Sequence, residues 1–290
     1  MKSLLLSAML CLFAQSAFAT NQVDQIIEKL TDEQKAAQLI LVYYTTPEFI
    51  AEHEFGGVLI TQNMLNNPEK LKSELKKTQA QSKTGIFVSI DQEGGRVNRM
   101  KLLQGFRTVP SAQKMSSWSK ERIREYSAHM ALALHDLGIN LNLAPVLDPS
   151  LDYMSKKTFM AKKQRTFGHS VEQTATKAGA YIAGFQSQGI WSVSKHFPGY
   201  DVQTNSDHEI AISQASLKDV NKNIEPFQRL ATEVIGVMMS SVQYTKLAEA
   251  PAVMSKKLVS LARQSHPDSI LMTDDLWEVL CDPGYKKKEK

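Results

Sequence analysis

Apolar segments of strand length alternate along this chain with longer segments of helical pattern, and this alternation restricts its fold more than any other feature. Short apolar runs predict strands at 57–61, 86–90, 139–147, 191–194, 236–242 and 269–273. The segments between them predict helices over 68–81, 119–137, 171–188, 217–232 and 255–264. Strands that alternate with helices form a parallel sheet covered on both faces, and such strands are apolar throughout.

Two parallel architectures satisfy this pattern, a (β/α)8 barrel and a doubly wound open sheet. Several predicted strands end at a polar or charged residue, among them Asp91, Asp148 and Asp274. The active site of a (β/α)8 barrel lies at the carboxyl ends of its strands. No G-x-G-x-x-G sequence follows the first predicted strand, which argues against a dinucleotide-binding sheet.

The first nineteen residues have the pattern of a secretory signal peptide (1–19). Lys2 precedes an apolar run over 4–13, and the small-residue site Ala17-Phe18-Ala19 follows it. The run is shorter than the roughly 20 residues that cross a bilayer, so no stable membrane insertion is expected after cleavage. A buried N-terminal helix is the alternative. We expect a bacterial protein that is periplasmic or secreted, with Cys281 as its remaining cysteine and no intrachain disulfide.

Net charge gives no indication of a nucleic-acid partner. The formal charge of +4 is carried by Lys2 and by the tail 286–290, while acidic and basic residues balance in the rest of the chain. Binding to nucleic acid requires a clustered basic face.

No linker-like segment divides the body of the chain, so we expect one domain over 20–280 and a basic unstructured tail over 281–290.

Charged residues cluster at two of the predicted strand ends. The segment 91–99 (DQEGGRVNR) brings two carboxylates and two arginines around a paired-glycine turn, and Lys195 and His196 follow the strand at 191–194. Basic groups there can donate hydrogen bonds to sugar hydroxyls or to an anion, which offsets the cost of burying them. A salt-bridged surface loop and a structural Lys-His pair are the alternatives.

Two further segments carry groups suited to acid–base and nucleophilic chemistry. His208 follows Asp207, and a histidine near a carboxylate can act as a general acid/base. Asp274 ends the last predicted strand and is a candidate nucleophile, whereas Asp275 could cap a following helix. The histidines show no H-E-x-x-H spacing and the chain has no C-x-x-C, so no metal site is predicted.

Together these segments resemble the bacterial β-N-acetylhexosaminidase branch of glycoside hydrolase family 3. The matching stretches are, in order, DQEGGRVNRM (91–100), GINLNLAPVLDPS (138–150), QRTFG (164–168), KHFPG (195–199), the loop to His208, PAVMS (251–255) and MTDDL (272–276). The resemblance implies an α/β fold, a (β/α)8 TIM-type barrel. Because relatives continue well past the last motif, we expect the barrel to be incomplete at its C-terminus, without the eighth strand and helix.

The resemblance also implies a retaining glycoside hydrolase that needs no metal and no organic cofactor. Asp274 matches the family's nucleophile and His208 its loop-borne acid/base, with Asp207 as the neighbouring carboxylate. The family's sugar-binding positions correspond to Asp91, Arg99, Arg165, Lys195 and His196. The expected substrate is a peptidoglycan-type glycan or muropeptide with a terminal β-linked N-acetylglucosamine, and the expected state is a monomer.

The chain departs from the family pattern beside two of these motifs. Tyr200-Asp201 stand where the family has His-Gly, and Ser206 stands where the family has an aspartate two residues before the histidine. With that aspartate displaced, we expect a hydrolase of reduced activity. A β-glucosidase of the same family, a catalytically impaired sugar-binding homologue and an unstable product of a truncated reading frame are the alternatives.

Overall fold

The computed structural model describes residues 23–150 and 158–276. The predicted signal peptide, the predicted tail and the last residues of the predicted domain lie outside them. The described residues form two compact units: 23–59 with 73–87 make the first, and the remainder makes the second. Within these described ranges, no helix combines the length and the apolar character required to cross a bilayer.

Helices and strands alternate along most of the described chain. The strands are β1 (Leu41–Tyr43), β2 (Gly57–Ile60), β3 (Phe87–Ile90), β4 (Leu141–Asn142), β5 (Trp191–Phe197), β6 (Ile212–Ser213), β7 (Gly236–Met239), β8 (Gln243–Tyr244) and β9 (Ile270–Thr273). The helices are α1 (Asp32–Gln38), α2 (Pro47–His53), α3 (Pro68–Gln81), α4 (Ala112–Met115), α5 (Lys120–Asp136), α6 (Phe159–Lys162), α7 (Val171–Gln186), α8 (Leu217–Asn223), α9 (Glu225–Arg229) and α10 (Lys256–Ser265). Short 3-10 helices cover Gln62–Asn66, Arg99–Leu102 and Ala252–Met254.

Among the described residues, seven parallel strands follow one another in the order in which they occur along the chain. The first unit contributes β1-β2 and the second contributes β3-β4-β5-β7-β9, while β6 and β8 pair separately. At least one helix lies between each of the seven strands and the next. This is the topology of a (β/α)8 barrel with seven strands, and it confirms the predicted fold class.

Serine residues begin the main helices of the second unit. The Ser119, Ser170 and Ser255 side chains each accept a hydrogen bond from the backbone N–H three residues on, and Ser216 forms a capping box with Asp219. These hydroxyls satisfy donors that the first helical turn leaves unpaired. The predicted helix starts at 119, 171 and 255 therefore lie within one residue of the observed ones.

Three predicted elements differ from the structure for identifiable reasons. The strand at 139–147 is regular only over Leu141–Asn142, because Pro145 has no N–H to donate to a sheet. The helix at 217–232 is interrupted at Ile224, and its second part begins at Glu225 with Pro226 in the first turn. The strand at 191–194 continues to Phe197, because Asp91 and Asp148 accept hydrogen bonds from Lys195 and His196, the two basic residues that were expected to follow the strand.

Candidate active site

A buried ion network joins the carboxyl ends of β3 and β5. Lys195 Nζ lies 2.6 Å from Asp91 Oδ1 and 2.9 Å from Glu93 Oε1. Arg165 donates from Nε and Nη2 to the two carboxylate oxygens of Glu93, both at 2.8 Å. The side chains of Lys195 and Glu93 are almost fully buried, whereas Asp91 keeps 20% of its side-chain surface exposed. Asp91 is therefore the carboxylate of the network with most surface open to a ligand.

The opposite charges in this network keep Glu93, Arg165 and Lys195 ionised. Burial acts to raise the pKa of Glu93, but the charges of Arg165 and Lys195 outweigh it and lower that pKa. Burial acts to lower the pKa of Lys195, and Asp91 and Glu93 reverse the shift. Two carboxylates thus balance two cations at neutral pH, and the ordered donors and acceptors suit hydrogen bonding to sugar hydroxyls.

A second buried pair lies beside the network. Asp148 is fully buried, and its Oδ2 lies 2.6 Å from His196 Nδ1. Asp148 Oδ1 accepts hydrogen bonds from the backbone N–H groups of His196 (2.9 Å) and Tyr200 (2.8 Å). Because Nδ1 of His196 is hydrogen-bonded to Asp148, Nε2 is the ring nitrogen that remains available to a ligand.

Strand register brings Asp274 to the same edge of the sheet as Lys195 and His196. Phe197 pairs with Met239, which pairs with Thr273, and Asp274 follows directly. The Asp274 N–H donates to the Met239 carbonyl (3.1 Å), and its Oδ1 accepts from the Asp275 N–H (2.9 Å). Burial raises the pKa of Asp274, and the charges of His196 and Lys195 partly oppose that shift. Asp274 and the two basic groups therefore lie at one edge of the sheet.

The loop that carries the predicted acid/base is exposed at its tip. Asp207 and His208 are both exposed, and the His208 N–H donates to the Asn205 carbonyl (3.2 Å). Among the described residues, no hydrogen bond or ion pair joins the Asp207 carboxylate to the His208 ring. The charge of Asp207 adds to the effect of burial in raising the pKa of Asp274.

Five of the eight predicted site residues lie together, whereas Asp207 and His208 stand on the exposed loop and Arg99 forms no part of the ion network. Asp91, Arg165 and Lys195 share the ion network, and His196 and Asp274 lie at the same strand ends. Arg99 instead uses its backbone N–H, which donates to Gln92 Oε1 at 2.8 Å. Its guanidinium forms no ion pair with any carboxylate in the described part of the chain.

Two buried carboxylates of the site, Glu93 and Asp148, have no role that the sequence predicts. Glu93 is the second acid of the 91–99 segment, and Asp148 follows a predicted strand. Their positions near strand ends indicate a place in the site, but sequence spacing does not show which cation each carboxylate pairs with.

Within 23–150 and 158–276, no group of three or more His, Cys, Asp or Glu side chains could hold a metal ion.

Comparison with known proteins identifies the family. Residues 31–289 match the Glycosyl hydrolase family 3 N terminal domain. Beta-hexosaminidase of Pseudomonas aeruginosa is 29% identical over 236 residues, which is 79% of this chain and 68% of that protein. Beta-hexosaminidase LpqI of Mycobacterium tuberculosis is 32% identical over 182 residues, which is 61% of this chain and 46% of that protein.

A solved structure gives the same result for the fold. Beta-N-acetylhexosaminidase from Beutenbergia cavernae superposes with a TM-score of 0.71 at 27% identity, and the match covers 86% of this chain and 79% of that one. The family match extends over well more than half of the residues, and the strand order agrees with it. The chain belongs to glycosyl hydrolase family 3.

Proposed function

We propose that this chain is a retaining β-N-acetylhexosaminidase that releases terminal β-linked N-acetylglucosamine from peptidoglycan-type fragments. The register of β5, β7 and β9 carries the proposal, because it places Asp274 at the same edge as the buried basic groups Lys195 and His196. An anionic nucleophile beside ordered hydrogen-bond donors is what a glycosidase needs. The relatives named beta-hexosaminidase favour an N-acetylated sugar over glucose.

The sugar in the nonreducing position is held by the ion network. Asp91 accepts hydrogen bonds from ring hydroxyls, and Lys195 and His196 Nε2 contact the remaining oxygens. Arg165 and Glu93 keep the Lys195 ammonium in place through their own buried pairing. Because these side chains are already paired, little reorganisation is needed when charge develops at the anomeric carbon.

The reaction proceeds by double displacement. The Asp274 carboxylate attacks the anomeric carbon while His208 gives its proton to the leaving glycosidic oxygen, and a glycosyl ester on Asp274 results. Water then attacks the same carbon and gives a proton to His208, and the bond to Asp274 breaks. Two inversions retain the β configuration.

A basic groove supports a leaving group that carries carboxylates. This groove has a volume of about 470 Å³, and residues 203–205 and Glu209 of the acid/base loop line one side of it. Arg96, Lys162 and Lys163 line it as well, so cations outnumber the one acidic lining residue. The acid/base must contact the leaving oxygen, so a groove along its loop is where the leaving group lies. Peptidoglycan fragments carry carboxylates, which this charge attracts.

Export is part of the proposal. The signal-peptide pattern over 1–19 supports a periplasmic or secreted location, where peptidoglycan fragments arise. Fractionation of the native host, followed by N-terminal sequencing of the mature chain, tests it. A first residue of Thr20 in the periplasm or medium is expected, and an uncleaved cytoplasmic chain would contradict it.

The activity is tested with paired substrates and paired variants. The purified chain is incubated with 4-nitrophenyl β-N-acetylglucosaminide and with 4-nitrophenyl β-glucoside, and we expect release from the first. Asp274→Asn should lower kcat on the order of 10⁴-fold or more, since it removes the nucleophile. Asp275→Asn is the matched control and should cost much less, because its backbone N–H still contacts Asp274.

Several outcomes would overturn parts of this proposal. Equal losses in the Asp274 and Asp275 variants would contradict the assigned nucleophile. Sugar binding without turnover in the unaltered chain would indicate a binding protein, and preference for the glucoside would indicate a β-glucosidase.

The basic groove is tested separately. The rates of release from 3-carboxyphenyl and 3-carbamoylphenyl N-acetylglucosaminides are compared at low and high salt. Faster release of the carboxylate at low salt is expected, and equal rates would contradict an anionic leaving group.

A further inference from the structure

Tyr200 links the end of β5 to the loop that carries His208. The tyrosine is 1% exposed, and its backbone N–H donates to Asp148 Oδ1 at 2.8 Å. Its hydroxyl makes two hydrogen bonds to the loop backbone: it donates to the Thr204 carbonyl at 2.7 Å and accepts from the Ser206 N–H at 2.6 Å. Asp207 and His208 follow immediately after Ser206.

The other hydrogen bonds at the loop tip are local. The N–H groups of His208 and Glu209 both donate to the Asn205 carbonyl, at 3.2 and 3.3 Å, and the Asp207 N–H reaches Asn205 Oδ1 at 3.4 Å. Among the described residues, the hydrogen bonds that connect 204–209 to the rest of the chain are those of the Tyr200 hydroxyl. The Tyr200 hydroxyl therefore fixes the position of the short turn that carries His208.

The ring that presents this hydroxyl is itself fixed. It packs against Phe159 with ring centroids 6.0 Å apart and against His196 with centroids 5.9 Å apart. Burial raises the pKa of Tyr200 to about 12, so the hydroxyl keeps its proton near neutral pH and can act as donor and acceptor together. Phenylalanine at this position would keep the packing and remove only the two hydrogen bonds.

We propose that Tyr200 is a positioning residue for the acid/base: its hydroxyl fixes the backbone at 204 and 206 so that His208 is presented to the leaving oxygen. The inference rests on the proposed glycosidase function and on His208 as its acid. It gives a role to a residue at which this chain departs from the family pattern, since tyrosine stands where a histidine is usual. A pre-ordered loop favours proton transfer because less freedom is lost on reaching the reactive geometry.

The test compares leaving groups in Tyr200→Phe. For 4-nitrophenyl N-acetylglucosaminide the leaving group departs without protonation, so kcat should stay within about twofold of the unaltered chain. For the disaccharide of two β-linked N-acetylglucosamines the leaving group requires a proton, and kcat should fall at least about tenfold, which is part of the roughly 10²–10⁴-fold that general acid catalysis contributes. In a His208→Ala background, Tyr200→Phe should have no further effect on the disaccharide.

Tyr126→Phe is the matched control, because Tyr126 is a half-buried tyrosine of α5 whose ring packs on Trp118. It should leave both rates unchanged. The ratio of the two rates does not depend on the fraction of protein folded, so partial misfolding of a variant does not obscure the result. Equal losses on both substrates would reduce Tyr200 to a structural role, and no loss on either would remove it from the mechanism. Inactivity of the unaltered chain on both substrates would overturn the proposed function itself, and this inference with it.

Discussion

Asp201 has a buried carboxyl whose surroundings favour the neutral acid. Its Oδ2 accepts a hydrogen bond from Ser213 Oγ at 3.0 Å, while its Oδ1 is buried without a hydrogen-bond partner among the described residues. Burial is the main cause that raises its pKa to about 6, and the charges of Asp148 and Asp219 add to the shift. Neutralising this carboxyl should therefore stabilise the fold above that pH.

The Asp201→Asn variant tests this through the pH dependence of stability. A folded-state pKa near 6 means that the folded chain binds the proton more tightly than the unfolded chain, whose value is near 3.8. The contribution of Asp201 to the free energy of unfolding therefore declines as pH rises from about 4 to above 6. Asparagine removes that decline, so the variant should gain stability relative to the unaltered chain by up to about 3 kcal/mol between pH 4 and pH 7. Urea unfolding across this range measures it, and a difference independent of pH would contradict it.

Individual site residues were predictable where a motif or a strand end marked them. Asp91, Lys195 and Asp274 stand at strand ends, and the structure puts them at one edge of the sheet. The partners of these residues were not predictable, because Asp148 reaches His196 across 48 positions and no local spacing encodes that contact. The same holds for the Tyr200 hydroxyl, whose sequence position indicated only a departure from the family pattern.

Helices and strands were predicted best where a long periodic segment begins at a clear signal. The helix at 68–81 matches α3, and the helix at 171–188 differs from α7 only at its C-terminal end. β1 was not predicted, since three residues are too few to show a pattern and Tyr43 is largely exposed. Elements of two or three residues depend on their neighbours in the sheet, which the sequence does not reveal.

The packing of α7 on α5 gives a prediction at the scale of these elements. A Cβ at Gly184 would overlap Ser127 Oγ and would lie 2.5 Å from the Arg124 carbonyl oxygen, so the two helices would have to separate. Gly184→Ala should lower the free energy of unfolding by roughly 1–3 kcal/mol, despite the better helix propensity of alanine. The midpoint of urea unfolding measures this loss.

Gly179, on the same helix, is the matched control. The atoms nearest to a Cβ there are Leu230 Cδ2 and Glu233 Oε2, at 3.2 and 3.3 Å, and both are ends of flexible side chains. Gly179→Ala should therefore be neutral or stabilising by up to about 1 kcal/mol. Similar losses in the two variants would show that backbone contact between α5 and α7 does not limit position 184.

At the scale of the whole molecule, both the fold class and the family could be predicted from the sequence. Two independent features of the sequence led to them. The alternation of strands and helices restricted the fold to parallel sheets, and the ordered motifs selected the family and the barrel. The seven parallel strands in chain order confirm that choice. The division of the described residues into two compact units was not foreseen, because no change of composition marks its boundaries.

The ion network joins segments that lie 72 and 104 residues apart along the chain. Removing one of its carboxylates should therefore lower the stability of the whole fold. Glu93→Gln would leave Arg165 and Lys195 buried with Asp91 as the remaining carboxylate. Removing one partner from a buried ion pair costs about 3–5 kcal/mol, so a loss of that order in the free energy of unfolding is expected at pH 7. Glu172→Gln is the control: Glu172 pairs with Arg229 at the surface, and losing such a pair costs about 0–1 kcal/mol.

Acid should reduce the difference between the unaltered chain and Glu93→Gln. The folded state lowers the pKa of Glu93 below its usual 4.5, so its contribution to stability is complete above that pH and is lost as pH falls through the folded-state value. Urea unfolding of both proteins between pH 7 and pH 3 should therefore show a difference that is constant down to about pH 5 and shrinks below it. A difference that stays constant to pH 3 would mean that the folded and unfolded chains bind the proton of Glu93 equally, which would contradict the lowered pKa and assign the loss to packing. A difference that grows in acid would contradict the charged network, because it would require Glu93 to be neutral in the folded protein.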